Sequence, residues 1–480
     1  MSIEFGTDGW RAIIAWDFTF ANVQKVTLAI AQYVKVNYYK NNKKPPVLIG
    51  YDTRFLADEF ALFAAKVLES EGINVKISVE DIPTPAVAYA ACHSETAGAL
   101  QFTASHNPPE YCGIKYIPNY GGPATAAITN EIVNYMADIK DRELIYNPAQ
   151  IAKFDIRREY LDALKAMVNQ DMIHKHKFNI GFDALFSTSR IFLSQVLAEL
   201  NIKATILHQT RDPLFGGGMP EPKPQYLKEL MQLVKDQKLH AGIATDGDAD
   251  RFAIIDETGT FLTPNQVLCL LTYHLVKNRK LSGSIVRTVA TTHLLDKLAS
   301  HFNLEIIETP VGFKYVGEAM RNGNVLIGGE ESGGLSVKGH IPEKDGLLAD
   351  LLILEMIAYE NKPLSKIWQE LLSDLKMELH QAREDFKLNN IQPKEIMAKL
   401  KENPPKTIAN LSVTKVCDKD GLKFYIDKQS WLLVRPSGTE PLLRLYAESD
   451  NQDYLAKIMS DFSLIVKEVM ENYKVLSAKK

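Results

Sequence analysis

Apolar and polar positions follow one pattern three times along the chain. The segments PVLIGYDTRFLADEFALFAAKVLESEGINVKIS (46–78), FNIGFDALFSTSRIFLSQVLAELNIKATIL (178–207) and GSIVRTVATTHLLDKLASHFNLEIIET (283–309) each begin with a short apolar stretch and a polar loop. A stretch of helical periodicity and a second apolar stretch then follow. Short apolar runs bounded by turn residues read as buried strands, and recurrence at i, i+3, i+4 reads as one face of a helix, so each segment predicts a βαβ unit. In the first, Phe60, Phe63, Ala64 and Val67 fall on one face and Gly72 ends the helix. Three copies a domain length apart predict three related α/β domains, over 1–145, 146–256 and 257–370. After these the period changes. MELHQAREDFKLNN and VTKVCDKDGLKFYIDKQSWLLVRPSGTEPLLRLYAES alternate as antiparallel strands do, with a turn at Lys419-Asp420-Gly421, and a long helix is predicted from Gln452. This predicts a fourth, α+β domain over 371–480, reached through a partly helical connection at 361–375 read as a short hinge.

Composition narrows the class without changing this picture. At 480 residues the chain is too long for a single core, and 46% hydrophobic with 24% charged residues is ordinary for a soluble protein. A formal charge of −4 argues against a nucleic-acid partner, since phosphate-backbone affinity needs a basic face. The start MSIEFGTDGW lacks a signal-peptide pattern, and the longest apolar runs, such as LLADLLIL, fall short of a membrane span, so a cytoplasmic location with no membrane partner is expected. Cys92, Cys112, Cys269 and Cys417 form no paired motif and read as reduced thiols.

Four stretches carry candidate chemistry. TASHNPPEY sets Ser105 beside His106 in a stiff loop that the prolines keep out of helix and sheet, and it reads as an exposed loop presenting a hydroxyl. A hydrolytic pairing is disfavoured, because neighbours on an extended chain point to opposite faces and no G-x-S-x-G elbow is present. IATDGDADRFAIID spaces Asp246, Asp248 and Asp250 alternately, a repulsive cluster that calls for a hard cation such as Mg²⁺ or Ca²⁺. These aspartates and Glu257 also match an EF-hand loop, but Arg251 stands where its glycine is needed and a strand rather than a helix follows. GGEESGG offers Glu330 and Ser332 on a glycine-rich turn. In RPSGTEPLLRLY, Arg435, Arg444, Ser437, Thr439 and Gly438 form a candidate phosphate cradle. A serine carrying a phosphoryl group would link these clues, its phosphate supplying the oxygen that three carboxylates lack.

With FGTDGWR at the start, TASHNP, DGDADR, GEESGG and RPSGTEP in this order, the chain resembles the α-D-phosphohexomutases, the phosphoglucomutase/phosphomannomutase family, along its whole length. The resemblance implies three α/β domains and a C-terminal α+β domain in a heart-shaped molecule with a central cleft. It implies a phosphoserine at Ser105, which with Asp246, Asp248 and Asp250 holds Mg²⁺, and a hexose 1,6-bisphosphate as intermediate and activator. Lys115 matches a family lysine for acid/base work, Arg11 and Arg251 match cationic partners of phosphate, and His106 is assigned a structural or polarising part. Thr309, Gly312 and Lys314, with Glu330 and Ser332, would bind the sugar, and Arg435, Ser437, Gly438 and Thr439 would grip the phosphate that is not reacting. Phe313-Lys314 and Glu331 resemble phosphoglucomutases, so glucose 1-phosphate is expected first, mannose phosphate second and glucosamine phosphate last, in a monomer or homodimer acting on small sugar phosphates. Phosphoglucosamine mutase, hexose-1,6-bisphosphate synthase and Mg²⁺-dependent sugar phosphatase stand as alternatives.

Overall fold

The computed structural model describes residues 3, 5–6, 9–40, 42–140, 143–145, 150–388, 391–427, 429–436 and 442–477. Two compact units divide the chain, Met1–Ser284 with Gly312–Trp368 and Ile285–Val311 with Gln369–Lys480.

The first unit contains a six-stranded sheet in the order Trp10–Ile13, Tyr111–Ile117, Ala99–Phe102, Val47–Tyr51, Val75–Ser78, Ala152–Phe154. Val47–Tyr51 runs parallel to both Val75–Ser78 and Ala99–Phe102, the geometry a βαβ crossover imposes. Tyr111–Ile117 turns back antiparallel beside Ala99–Phe102, which places the intervening loop, with Ser105, at the C-terminal edge of the parallel strands. Helices Phe20–Tyr38, Ala57–Ser70 and Ala126–Asp138 pack here, and Phe18, Val26, Ile30, Ile49, Phe60, Leu68, Leu100 and Phe102 fill the core. A second, five-stranded sheet joins Asn179–Asp183 in parallel to Lys203–Leu207 and Gly242–Thr245. Phe252–Ile255 and Phe261–Leu262 extend it antiparallel. The aspartate loop is therefore the hairpin between Gly242–Thr245 and Phe252–Ile255. In the same unit Val325–Gly329 pairs antiparallel with Leu335–Val337, so Glu330 sits in that turn. Helix Gly346–Glu360 is buried almost all round, as its unbroken apolar sequence requires.

In the second unit, Ile285 to Thr288 pair in parallel with Ile306–Thr309 through helix Leu294–Phe302. All three predicted βαβ units are thus present with parallel strands. The C-terminal part is an antiparallel sheet in the order His380–Lys387, Leu442–Ser449, Trp431–Pro436, Leu422–Tyr425, Lys415–Cys417. Helices Pro393–Glu402 and Gln452–Ser477 cover it. The turn at 419–421 and the helix beginning at Gln452 match expectation. The connection read as partly helical, and at most a short hinge, contains the helix Leu364–Leu375, with Leu364, Ile367 and Leu371 buried at helical spacing. Among the described residues no helix is long and apolar enough to cross a membrane.

Candidate active site

Ser105 is not exposed, contrary to the expectation from its prolines; only 1% of its surface is accessible. The aspartate loop covers it. Gly247 lies so close that a Cβ there would stand 2.6 Å from the Ser105 carbonyl oxygen, which explains a glycine between two aspartates. Ser105 also has φ 52, a left-handed conformation that costs a non-glycine residue about 1–3 kcal/mol. That bend removes the basis for separating Ser105 from His106, whose Nδ1 lies 3.5 Å from the serine Oγ. Burial, reinforced by Arg251 and Arg11, pushes the His106 imidazole well below its usual pKa, so it is neutral near pH 7 and suited to a polarising part.

The serine hydroxyl donates to Asp246 Oδ2 at 2.6 Å. Asp246, Asp248 and Asp250 are fully buried and their nearest carboxylate oxygens lie within 4.8 Å of one another. Burial and then the charges of Asp248 and Asp250 raise the Asp246 pKa well above the usual carboxylate range. For Asp250, burial pulls upward but Lys115, Lys344 and Arg251 together hold the carboxyl well below it. Lys115, on the strand Tyr111–Ile117, donates to Asp248 Oδ2 at 2.9 Å and Asp250 Oδ2 at 3.0 Å, and Lys344 reaches Asp250 Oδ2 at 3.0 Å. Among the described residues the other oxygens, Asp248 Oδ1 and Asp250 Oδ1, are buried without a hydrogen-bond partner. Buried anionic oxygens at this spacing fit a hard divalent cation. Glu257 is not of the cluster; it accepts from Ser365 N and Oγ.

Of the remaining predicted residues of this unit, Arg11 and Arg251 lie beside the serine and aspartate loops. Arg11 NH1 donates to Asn107 Oδ1 at 2.7 Å, bracing the serine loop from the strand Trp10–Ile13. Arg251 closes the aspartate loop through its backbone N–H to Asp246 Oδ1 at 3.1 Å, and Phe252 N donates to Gly333 O, which draws the GEESGG turn alongside. Glu330 accepts from Gly312 N at 2.8 Å, and burial, added to by Glu331, raises its pKa to about 7. Ser332 is exposed. Lys314 and Tyr315 line a cavity of about 280 Å³ with Thr125, Ala126, Ala127 and Glu318.

In the second unit Thr309 is buried, its hydroxyl donating to Pro310 O at 3.0 Å. Arg435 NH2 bonds Asp420 Oδ2 at 3.1 Å, and its Nε is buried without a partner among the described residues. Ser437, Gly438 and Thr439 lie outside the described residues.

Sequence reasoning missed Lys344 and Thr84. The Thr84 hydroxyl donates to Asp248 Oδ2 at 2.6 Å, and its N–H to Asp248 O at 2.9 Å, from the start of helix Thr84–His93. Nothing near Thr84 in the sequence signals an acidic partner more than a hundred residues away. Lys344 precedes an aspartate that caps a helix, and that pattern alone reads as a terminus.

Four family models match in order. They are those of the phosphoglucomutase/phosphomannomutase alpha/beta/alpha domains I, II and III, over residues 2–143, 158–259 and 263–375, and of the C-terminal domain, over 389–465. A "Phosphoglucomutase/phosphomannomutase" of Thermococcus kodakarensis is 31% identical over 452 residues, with 94% of this chain and 95% of that protein covered. A "Phosphoglucosamine/phosphogalactosamine mutase" of Sulfurisphaera tokodaii is 30% identical over 472 residues, covering 96% and 98%. A solved structure of a Thermus thermophilus protein superposes with a TM-score of 0.85 at 30% identity, covering 97% of this chain and 99% of that one.

Proposed function

The chain belongs to the phosphoglucomutase/phosphomannomutase family of phosphohexomutases, and we propose that it interconverts glucose 1-phosphate and glucose 6-phosphate by way of a phosphoserine at Ser105 and a hexose 1,6-bisphosphate. The observation that carries this reading is the Ser105 hydroxyl, held 2.6 Å from Asp246 within a buried aspartate cluster.

In the proposed step a sugar hydroxyl oxygen bonds to phosphorus while the bond from phosphorus to Ser105 Oγ breaks. The reverse transfer, after the bisphosphate turns over, restores the phosphoserine. Asp246, Asp248 and Asp250 would hold Mg²⁺, which supplies positive charge beside the transferring phosphoryl group. Lys115, hydrogen-bonded to Asp248 and Asp250, would hold or move a proton at the reacting oxygen, and Arg251 and Arg11 would add charge complementary to phosphate. Glu330, with a pKa of about 7, can donate to or accept from a sugar hydroxyl near neutrality. Arg435 would grip the distal phosphate.

Glucose is favoured because a cationic Lys314 would meet a sugar amine poorly. The 30% identity to a glucosamine/galactosamine mutase supports a second reading, in which the amino sugar is preferred. Comparing kcat/KM for glucose, mannose and glucosamine 1-phosphates, with a trace of bisphosphate, in wild type and Lys314→Ala decides between them. Glucose should lead in wild type, and the variant should narrow its margin over glucosamine phosphate. A wild-type preference for glucosamine phosphate overturns the assignment. Intact mass should also show wild type, and not Ser105→Ala, one phosphoryl group heavier after exposure to bisphosphate.

A further inference from the structure

Beneath the serine loop lies an arginine that none of the roles above uses. Arg54 follows the strand Val47–Tyr51, and its side chain is completely buried. All five of its N–H donors are engaged. NH2 donates to Ser105 O and Asn107 O, both at 2.6 Å, NH1 to Pro108 O at 2.7 Å and Tyr111 O at 3.0 Å, and Nε to Asp52 Oδ2 at 3.2 Å. Four carbonyls of a single loop thus converge on one planar fork, an arrangement that an ammonium group with three donors cannot reproduce.

The other side of Ser105 is held as well. Its N–H donates to Thr103 Oγ1 at 2.8 Å, and the Thr103 hydroxyl is hydrogen-bonded to Asp52, whose second oxygen accepts from Arg54 N at 2.9 Å. Both backbone groups of the serine therefore lead back to the Asp52–Arg54 pair. The residue so held is the one in the left-handed conformation, with φ 52. Such a conformation persists only where its surroundings over-determine it. Ordinary packing would need one or two of these bonds; a buried guanidinium spent entirely on one loop is an expensive way to close a turn, because the desolvated charge must be matched at every donor.

We propose that Arg54, with Thr103 on the opposite side, is a positioning residue for phosphoryl transfer: it fixes the Ser105 backbone so that Oγ points at the aspartate cluster. The inference rests on the reading of Ser105 as the phosphoryl carrier. It assigns Arg54 no contact with sugar or phosphate, so its effect falls on the rate of transfer rather than on binding. Misplacing a reacting atom by about 1 Å costs on the order of 100-fold in rate.

The test is Arg54→Lys, which keeps the charge and loses the fork, alongside Thr103→Val, which removes the hydroxyl that accepts from Ser105 N–H and bonds Asp52. The measurements are kcat and KM for the hexose phosphate, the Mg²⁺ concentration giving half-maximal rate, and the single-turnover rate at which bisphosphate loads Ser105, followed by intact mass. Arg54→Lys should lower kcat and the loading rate together by about 100-fold, and Thr103→Val by about 10-fold, with KM and the Mg²⁺ midpoint within about threefold of wild type. If Arg54→Lys does not fold, Thr103→Val decides. A folded variant of either kind with wild-type loading overturns the inference, as does a fall in kcat matched by an equal loss of Mg²⁺ or sugar affinity. Wild-type protein that never loads Ser105 would instead defeat the phosphoserine reading itself, and the inference with it.

Discussion

Lys423 carries its charge in an unfavourable place. It is 1% exposed, donates to Val289 O at 2.5 Å, bonds His293 Nε2 at 2.8 Å and lies 3.8 Å from the centre of the Trp431 ring. Burial, helped by Arg287, lowers its pKa to about 7. Because an unfolded lysine titrates near 10.4, the unfolded chain holds the extra proton between about pH 7 and 10, so this group's contribution to stability rises with pH across that window. Melting temperatures of wild type and Lys423→Met should therefore converge or cross as pH rises from 7 to 10, with the variant relatively most favoured at the acid end. Parallel curves would refute the assignment. At this scale the sequence was readable where chemistry is written locally: Asp246, Asp248 and Asp250 announce themselves by spacing, and Ser105 by its prolines. It was mute where a partner arrives from far along the chain, as for Thr84, Arg54 and Lys423, and it misjudged the burial of Ser105 because the covering loop comes from another domain.

Among the elements, the three βαβ units were legible because strand, helix and strand each bury one face, and burial writes itself as period. Helix Leu364–Leu375 was harder to read, since Pro363 and a polar flank resemble a linker while only Leu364, Ile367 and Leu371 carry the buried face. Helix Gly346–Glu360 offers a sharper test. Alanine usually stabilises a helix relative to glycine by up to about 1 kcal/mol. At Gly346, however, a Cβ would lie 2.4 Å from Arg251 O and 2.8 Å from its carbonyl carbon, and Gly346 N donates to Ala249 O. The helix begins pressed against the backbone of the aspartate loop, so Gly346→Ala should destabilise by about 1–3 kcal/mol and reduce activity with it. Chemical denaturation would show this as a lower midpoint, and an unchanged or higher midpoint would contradict the packing argument.

For the molecule as a whole, the aspartate loop is where the first and second α/β domains are joined. Ser105 donates to Asp246, Thr84 to Asp248 and Lys115 to Asp248 and Asp250, and the Arg190–Asp81 ion pair is a further buried link between them. A cation bound to three buried carboxylates stabilises the folded chain by mass action, about 2.7 kcal/mol at a hundred times its Kd. Chelating divalent ions should therefore lower the melting temperature of wild type and leave Asp248→Asn nearly unaffected; equal shifts in both would place the stabilising ion elsewhere. The same joint constrains how such a chain can be recombined. A hybrid taking its first domain from one relative and its second from another would bring together a serine loop and an aspartate loop with separate histories of mutual fit, down to the glycine at 247 that leaves room for the Ser105 carbonyl. Crossovers that transfer 1–259 as a block should yield working enzymes far more often than crossovers near 150.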